Sequence, residues 1–372
     1  MTRILFTIAS AIFLCSLLVF FPAPTPWLAV VAIVIAEWGY YFALLAIGIA
    51  VVAWKRGSFG KLTAIFALLA ALLSISPTLR AFQIAKTLPA RCDQAFGKST
   101  YNEKPFGFLS LFRPPSFPDV AITTHVYHEE LELDLYQSKN ASTPQPLIVM
   151  IHGGSWKGGS KAEVSDFNRY LAHENYAVAA IGYRHAPKWQ FPEPVDDVFR
   201  AIDFLKTRAV ELHLDATRIV LIGRSAGGQV ALSSAYAGRD PAIRGVIAFY
   251  PPTDLVFGYD HPSPRWVIDS GKILREYLGG TLAEKREQYF AASPINFVGT
   301  STPPTLLIHG GLDTLVGHVH SEMLEARLEQ ARVPHFYLSL GWATHGCDAN
   351  LHGPSGQLSS YCVNRFLGAV LR

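Results

Sequence analysis

Arg218-Ile219-Val220-Leu221-Ile222-Gly223-Arg224-Ser225-Ala226-Gly227-Gly228 decides the reading of this chain. Residues 219–222 are wholly apolar and mostly β-branched, the pattern of a strand buried on both faces of a parallel sheet. The pattern Gly223-x-Ser225-x-Gly227 follows at once, and a helix is expected from about Ala226. A strand that turns sharply into a helix strains the residue at the turn and leaves no room for bulky neighbours, hence the glycines. The turn exposes the serine hydroxyl and aims the positive end of the helix at it. Ser225 is therefore the candidate nucleophile.

Outward from this turn the alternation of strand and helix continues. Strands are expected over 126–136, 147–151, 176–181, 246–249, 305–308 and 335–340. Helices are expected over 161–174, 194–209, 318–331 and 357–371, the second presenting Val195, Val198, Phe199, Ile202 and Leu205 on one face. This predicts an α/β fold with a mostly parallel central sheet and helices on both faces. Such sheets gather their chemistry just past the carboxyl ends of the strands.

The chemistry-bearing residues fall there. His152-Gly153-Gly154-Ser155-Trp156 follows an early strand, and its paired glycines let the backbone approach a substrate. The amides of Gly153 and Gly154, with that of Ala226, are the candidate oxyanion hole. Asp313, in His309-Gly310-Gly311-Leu312-Asp313, is the candidate acid that orients the base; Asp254 and Asp348 are its alternatives. His345, in Trp342-Ala343-Thr344-His345-Gly346, is the candidate base. The order serine, aspartate, histidine, each after a successive strand, is the one expected of such a turn. His152 and His309 read as strand-end residues that hold their loops, and residues 255–292, rich in aromatics, either cap the pocket or pack on the surface.

The amino-terminal part is different in kind. Half of the 372 residues are hydrophobic and only 16% charged, an excess concentrated before residue 85. Apolar stretches at 4–21, 27–54 and 62–77 approach or exceed the ~18–20 residues that cross a hydrocarbon core about 30 Å thick. The first lacks a small-x-small cleavage site, so an anchor is expected rather than a cleaved leader. Glu37 in the second is expected near the interface, beside Trp38, Tyr40 and Tyr41. Three spans and the basic loop at 55–61 place the carboxyl-terminal domain outside the cytoplasm, although Arg80, Lys86 and Arg91 argue the other way. The expected division is thus 1–85 membrane segment, 86–119 linker and 120–372 catalytic domain. A net charge of +3 without basic blocks gives no footprint for nucleic acid. Four cysteines without zinc-type spacing predict no metal; Cys347 and Cys362 are either a disulfide or two thiols.

As an ordered set, these motifs resemble the α/β-hydrolase fold. With Gly182-Tyr183-Arg184-His185-Ala186-Pro187, they are similar to hormone-sensitive-lipase-like, feruloyl-esterase-like and kynurenine-formamidase-like enzymes. The resemblance covers about residues 120–372 and departs at Ser155, where the lipase-like group carries a third glycine. It implies a serine carboxylesterase acting near the membrane on an uncharged, partly apolar ester, small or lipid-like, with no cofactor and with Tyr183 and Arg184 in structural roles. An amidase using the same triad, or a catalytically silent binding domain, is the alternative. Membrane-bound isoprenylcysteine methylesterases of similar fold also carry a membrane segment.

Overall fold

The computed structural model describes residues 1–99 and 101–371. Three apolar helices come first: α1 (Thr2–Ser16), α2 (Pro26–Trp54) and α3 (Gly57–Ala85). Together with the turn after α1, each is long and apolar enough to cross a membrane. The third runs on past Pro77, where the sequence reading ends it. Proline there leaves the Leu73 carbonyl without its helical donor, and the Ser76 hydroxyl supplies one instead (2.7 Å). Small residues let α2 and α3 approach closely: a Cβ on Gly39 would fall 2.2 Å from the Ser74 carbonyl oxygen.

Helix α4 (Leu88–Phe96) and a short 3-10 helix (Phe108–Phe112) fill the segment expected to be a linker. Leu88, Cys92 and Leu111 in it are buried in the same core as the domain that follows.

That domain alternates as expected: β1 (Val120–His128), β2 (Leu131–Ser138), β3 (Gln145–Ile151), α5 (Ser165–His173), β4 (Ala177–Ile181), α6 (Glu193–Thr207), β5 (Leu214–Arg224) and α7 (Ala226–Tyr236). There follow β6 (Ile243–Phe249), α8 (Leu255–Asp260), α9 (Ser270–Leu278), α10 (Arg286–Ala291), β7 (Thr305–Gly310), α11 (Val319–Gln330), β8 (His335–Leu340) and α12 (Pro354–Val370). The stretch 126–136, expected as one strand, is a hairpin: β1 and β2 pair antiparallel around Glu129, which adopts a positive φ of 46°. Apolar residues resume at Leu131, Leu133 and Leu135 right after the polar run 128–130, so periodicity alone does not separate the two strands.

The sheet order is β1-β2-β4-β3-β5-β6-β7-β8. From β4 to β8 all pairs are parallel, while β1 and β2 add an antiparallel edge. With α helices on both faces this is the α/β-hydrolase fold. Leu147, Val149 and Ile151 face Val198, Ile202 and Val230 of α6 and α7. Ile148 and Met150 face the other layer, with Phe167 of α5 and Phe366 of α12. Ile35, Ala36, Tyr40 and Ala81 of the apolar helices belong to that second layer.

Candidate active site

Ser225 sits between β5 and α7 with φ 52° and ψ −122°. That conformation is strained for an L-residue and is held by the strand and helix on either side. A Cβ on Gly227 would lie 2.2 Å from the His152 carbonyl oxygen, so the turn accepts only glycine there. His345 comes from the loop after β8 and Asp313 from the loop after β7. The Ser225 hydroxyl donates to His345 Nε2 (3.1 Å), and His345 Nδ1–H donates to Asp313 Oδ2 (2.7 Å). The three residues, 120 and 32 positions apart in sequence, thus form one hydrogen-bonded line.

Asp313 is buried and fully used. Its Oδ1 accepts from the amides of Leu315 (2.9 Å) and Val316 (3.0 Å). Its Oδ2 also lies 3.3 Å from Nε2 of His309. His309 donates from Nε2 to the Val316 carbonyl (2.9 Å) while Ser321 Oγ–H donates to its Nδ1 (2.7 Å). Burial pushes the Asp313 carboxyl up, but His345 and His309 beside it reverse this and hold it below the ordinary carboxylate range. Sequence reasoning assigns His309 to packing, and its contact with Asp313 follows only from the turn that folds residues 309–316 on themselves. The alternative acids are occupied elsewhere. Asp254 caps α8 through the Phe257 amide (2.9 Å), and Asp348 pairs with Arg224.

The glycine loop departs in part from expectation. The Gly153 amide donates to Glu163 Oε2 (2.7 Å) and is not free. Gly154 (φ 108°), Ser155 (φ 55°) and Trp156 (φ 57°) turn left-handed in succession, and Ser155 faces the pocket beside Ser225 and Ala226. Ala226 opens α7, so its amide has no intrahelical acceptor. The structure therefore brings Ser155 and Ala226 to the serine, and sets Gly153 against Ser225 with its amide committed to Glu163. Burial lowers the His152 pKa to about 4, so the ring stays neutral; it stacks on Tyr183 (4.3 Å) and donates from Nδ1 to the Gly153 carbonyl (2.7 Å). Arg184 is tied to buried Asp197. Trp156 stacks on Tyr277 of α9 (4.3 Å), and both donate to Gln229 Oε1 of α7.

Of residues 255–292, several from Leu255 to Leu274 wall the cavity beside Ser225, while Tyr277 and Tyr289 pack in the core. The cavity beside Ser225 has a volume of 180 Å³ and is walled by Leu255, Phe257, Ile268, Ile273, Leu274 and Leu315 among others. Among the described residues, no Asp, Glu, Lys or Arg lines it. Its buried His320 is pushed down to about 4 by desolvation and stays neutral. The four cysteines are thiols: Cys347 and Cys362 are not joined, and Cys362 lies 3.9 Å from Cys92.

Residues 133–328 match the BD-FAE family model. That is more than half of the chain. It belongs to the BD-FAE family. Relatives of this member include the probable carboxylic ester hydrolase LipM of Mycobacterium tuberculosis, 25% identical over 74% of this chain and 66% of LipM. Esterase LipC of the same organism is 28% identical over 64% of this chain and 62% of LipC. The matches thus span just under two thirds of these relatives' lengths. Among solved structures, a bacterial heroin esterase superposes with a TM-score of 0.58 at 23% identity, covering 78% of this chain and 93% of the esterase. A truncated carbohydrate esterase from gut microbiota gives 0.57 at 20% identity, covering 68% of this chain and 99% of the other. At such identities the structural likeness speaks for the fold.

Proposed function

We propose that this protein is a serine hydrolase, anchored in a membrane by α1 to α3, that cleaves uncharged, partly apolar carboxylic esters through an acyl-enzyme. The observation that carries the reading is the line Asp313–His345–Ser225 at an apolar cavity without formal charge. His345 takes the hydroxyl proton as Ser225 Oγ attacks the ester carbonyl, and Asp313 stabilises the imidazolium. The amides of Gly154, Ser155 and Ala226 receive the oxyanion, while Gly153, bound by Glu163, keeps the loop in shape. The imidazolium returns its proton to the leaving alcohol. Water, deprotonated by the same histidine, then releases the acid. The ester-hydrolase relatives support the substrate class.

Membrane anchoring rests on the length and composition of the helices. Phe6 contacts Phe59 and Phe66, which brings the start of α1 to the turn between α2 and α3. Arg3, Lys55, Arg56 and Lys61 therefore gather at the end away from the hydrolase domain. By the positive-inside rule that end is cytoplasmic and the domain lies outside.

The test compares the full chain with Ser225→Ala in detergent micelles, on p-nitrophenyl esters of increasing acyl length. Turnover is expected to fall roughly 10⁴–10⁶-fold in the variant. Equal rates in both proteins would remove Ser225 from this role.

A further inference from the structure

The apolar surface of the helices ends where the cavity begins. On α2, exposed apolar side chains run from Trp54 through Val52, Leu45, Tyr41 and Val34 to Val30. That is 25 residues, about 36 Å from end to end at 1.5 Å per residue. On α3 they run from Phe59 to Phe82, 24 residues or about 35 Å. Both lengths match a hydrocarbon core about 30 Å thick crossed with some tilt. Past Val30 come Ala29, the exposed Leu28 and then Trp27, 83% exposed, which closes the stripe where tryptophan settles in the headgroup layer. Past α3 comes Lys86.

Leu315 joins this boundary to the active site. It lies two residues after Asp313 and lines the cavity of Ser225. It also packs on Ala23, Ala29 and Ala32, at the start of α2. The Leu315 carbonyl accepts from Ser263 Oγ (2.8 Å) in the cap loop, and three residues on, Trp266 is 71% exposed. Leu315 thus touches both the cavity and the buried alanines around the start of α2, and the cap loop bound to its carbonyl carries an exposed tryptophan three residues on.

We propose that the substrate is a membrane-resident lipid ester, uncharged around its ester group, that enters sideways from the outer leaflet past Leu315. The inference rests on the reading of Ser225 as nucleophile. A chain lying along the apolar stripe of α2 stays in hydrocarbon while its ester rises to the depth of Trp27. The cavity offers it apolar walls and no ion to pair with a charged headgroup. Trp27 and Trp266 hold the cap and the start of α2 at that depth, outside the cavity.

The full chain is reconstituted in phosphatidylcholine vesicles and given two esters of one fluorophore. Methylumbelliferyl oleate partitions into the bilayer; methylumbelliferyl acetate stays in water. In the double variant Trp27→Ser, Trp266→Ser, the rate on the oleate is expected to fall about tenfold, since interfacial anchoring scales with buried apolar area. The rate on the acetate is expected to hold, which also shows that the variant is folded. Equal slowing of both esters, or of neither, overturns the lateral route. A wild-type protein that hydrolyses the acetate but not the oleate overturns it too and leaves the serine hydrolase standing. Hydrolysis of neither ester by the wild type removes both.

Discussion

Arg224, the residue before Ser225, is fully buried and pairs through Nε with Asp348, three residues after His345. Its guanidinium lies between the rings of Phe167 and Phe249 (4.9 and 4.8 Å) and donates to Met150 Sδ (2.9 Å). Tyr250 Oη–H donates to the other oxygen of Asp348 (2.7 Å) while its ring lies 4.4 Å from that of His345. Burial keeps the phenol protonated, so it remains a donor. One buried ion pair thus ties the loop of the serine to the loop of the histidine. Removing one partner of such a pair strands the other charge and costs about 3–5 kcal/mol. Arg224→Met is expected to lose that much in denaturant unfolding of the full chain in detergent. The double variant Arg224→Met, Asp348→Asn should recover part of it, because no unpaired charge remains. A fully additive cycle would show that the two side chains do not act together. Ser225, Asp313 and His345 are legible in the sequence because each lies just past its own strand. This pair is not, since Arg224 reads as a variable position of the motif and nothing local connects it to a residue 124 positions away.

At the scale of elements, α2 reaches into the core of the α/β domain. Glu37 is buried, and its Oε2 accepts the Ser355 amide (3.2 Å) in the first turn of α12. Asn350 Nδ2 donates to the Glu37 carbonyl (3.1 Å), and Tyr40 Oη–H donates to the Leu111 carbonyl (2.8 Å). A carboxyl oxygen at a helix start satisfies an amide without a helical partner. Here it comes from another helix, 318 residues earlier. Sequence reading sets Glu37 beside an aromatic belt at the interface, which follows from composition. Its partner on α12 lies beyond any local pattern. Glu37→Ala is expected to lower the unfolding free energy by about 1–2 kcal/mol, the usual worth of such a cap. Glu37→Gln, which keeps an acceptor oxygen, should lose less. Equal losses in both would assign the effect to packing and remove the capping role. The hairpin of β1 and β2 escaped the sequence reading for a related reason: its turn is marked by Glu129 and Glu130, with neither glycine nor asparagine to announce it.

Over the whole molecule, the question is whether the apolar helices are a detachable anchor. The sequence divides at residues 85 and 119, by composition; the core does not. Helix α12 has 17 residues, of which 13 are buried, including Ser355, Ser359, Ser360 and Asn364. A helix buried on nearly every side needs cover on its outer face as well as on the sheet. Ile35, Ala36, Tyr40, Ala81, Leu88 and Cys92 share the core cluster that includes Phe366 and Leu367. Deleting residues 1–85 would expose that face of α12 and release the loop between His345 and Pro354. Each fully buried large apolar side chain is worth about 1.5–3 kcal/mol, and native stability is only about 5–15 kcal/mol. A fragment of residues 86–372 is therefore expected to aggregate without detergent and to bind a hydrophobic dye. Its melting temperature is expected to lie roughly 10 °C or more below that of the full chain. Its kcat on a soluble ester should fall further than its KM rises, since the histidine loop loosens while the cavity walls from 255–274 stay in place. A monomeric fragment with the turnover and melting temperature of the full chain would instead make α1 to α3 a pure tether, and the shared core a contact without consequence.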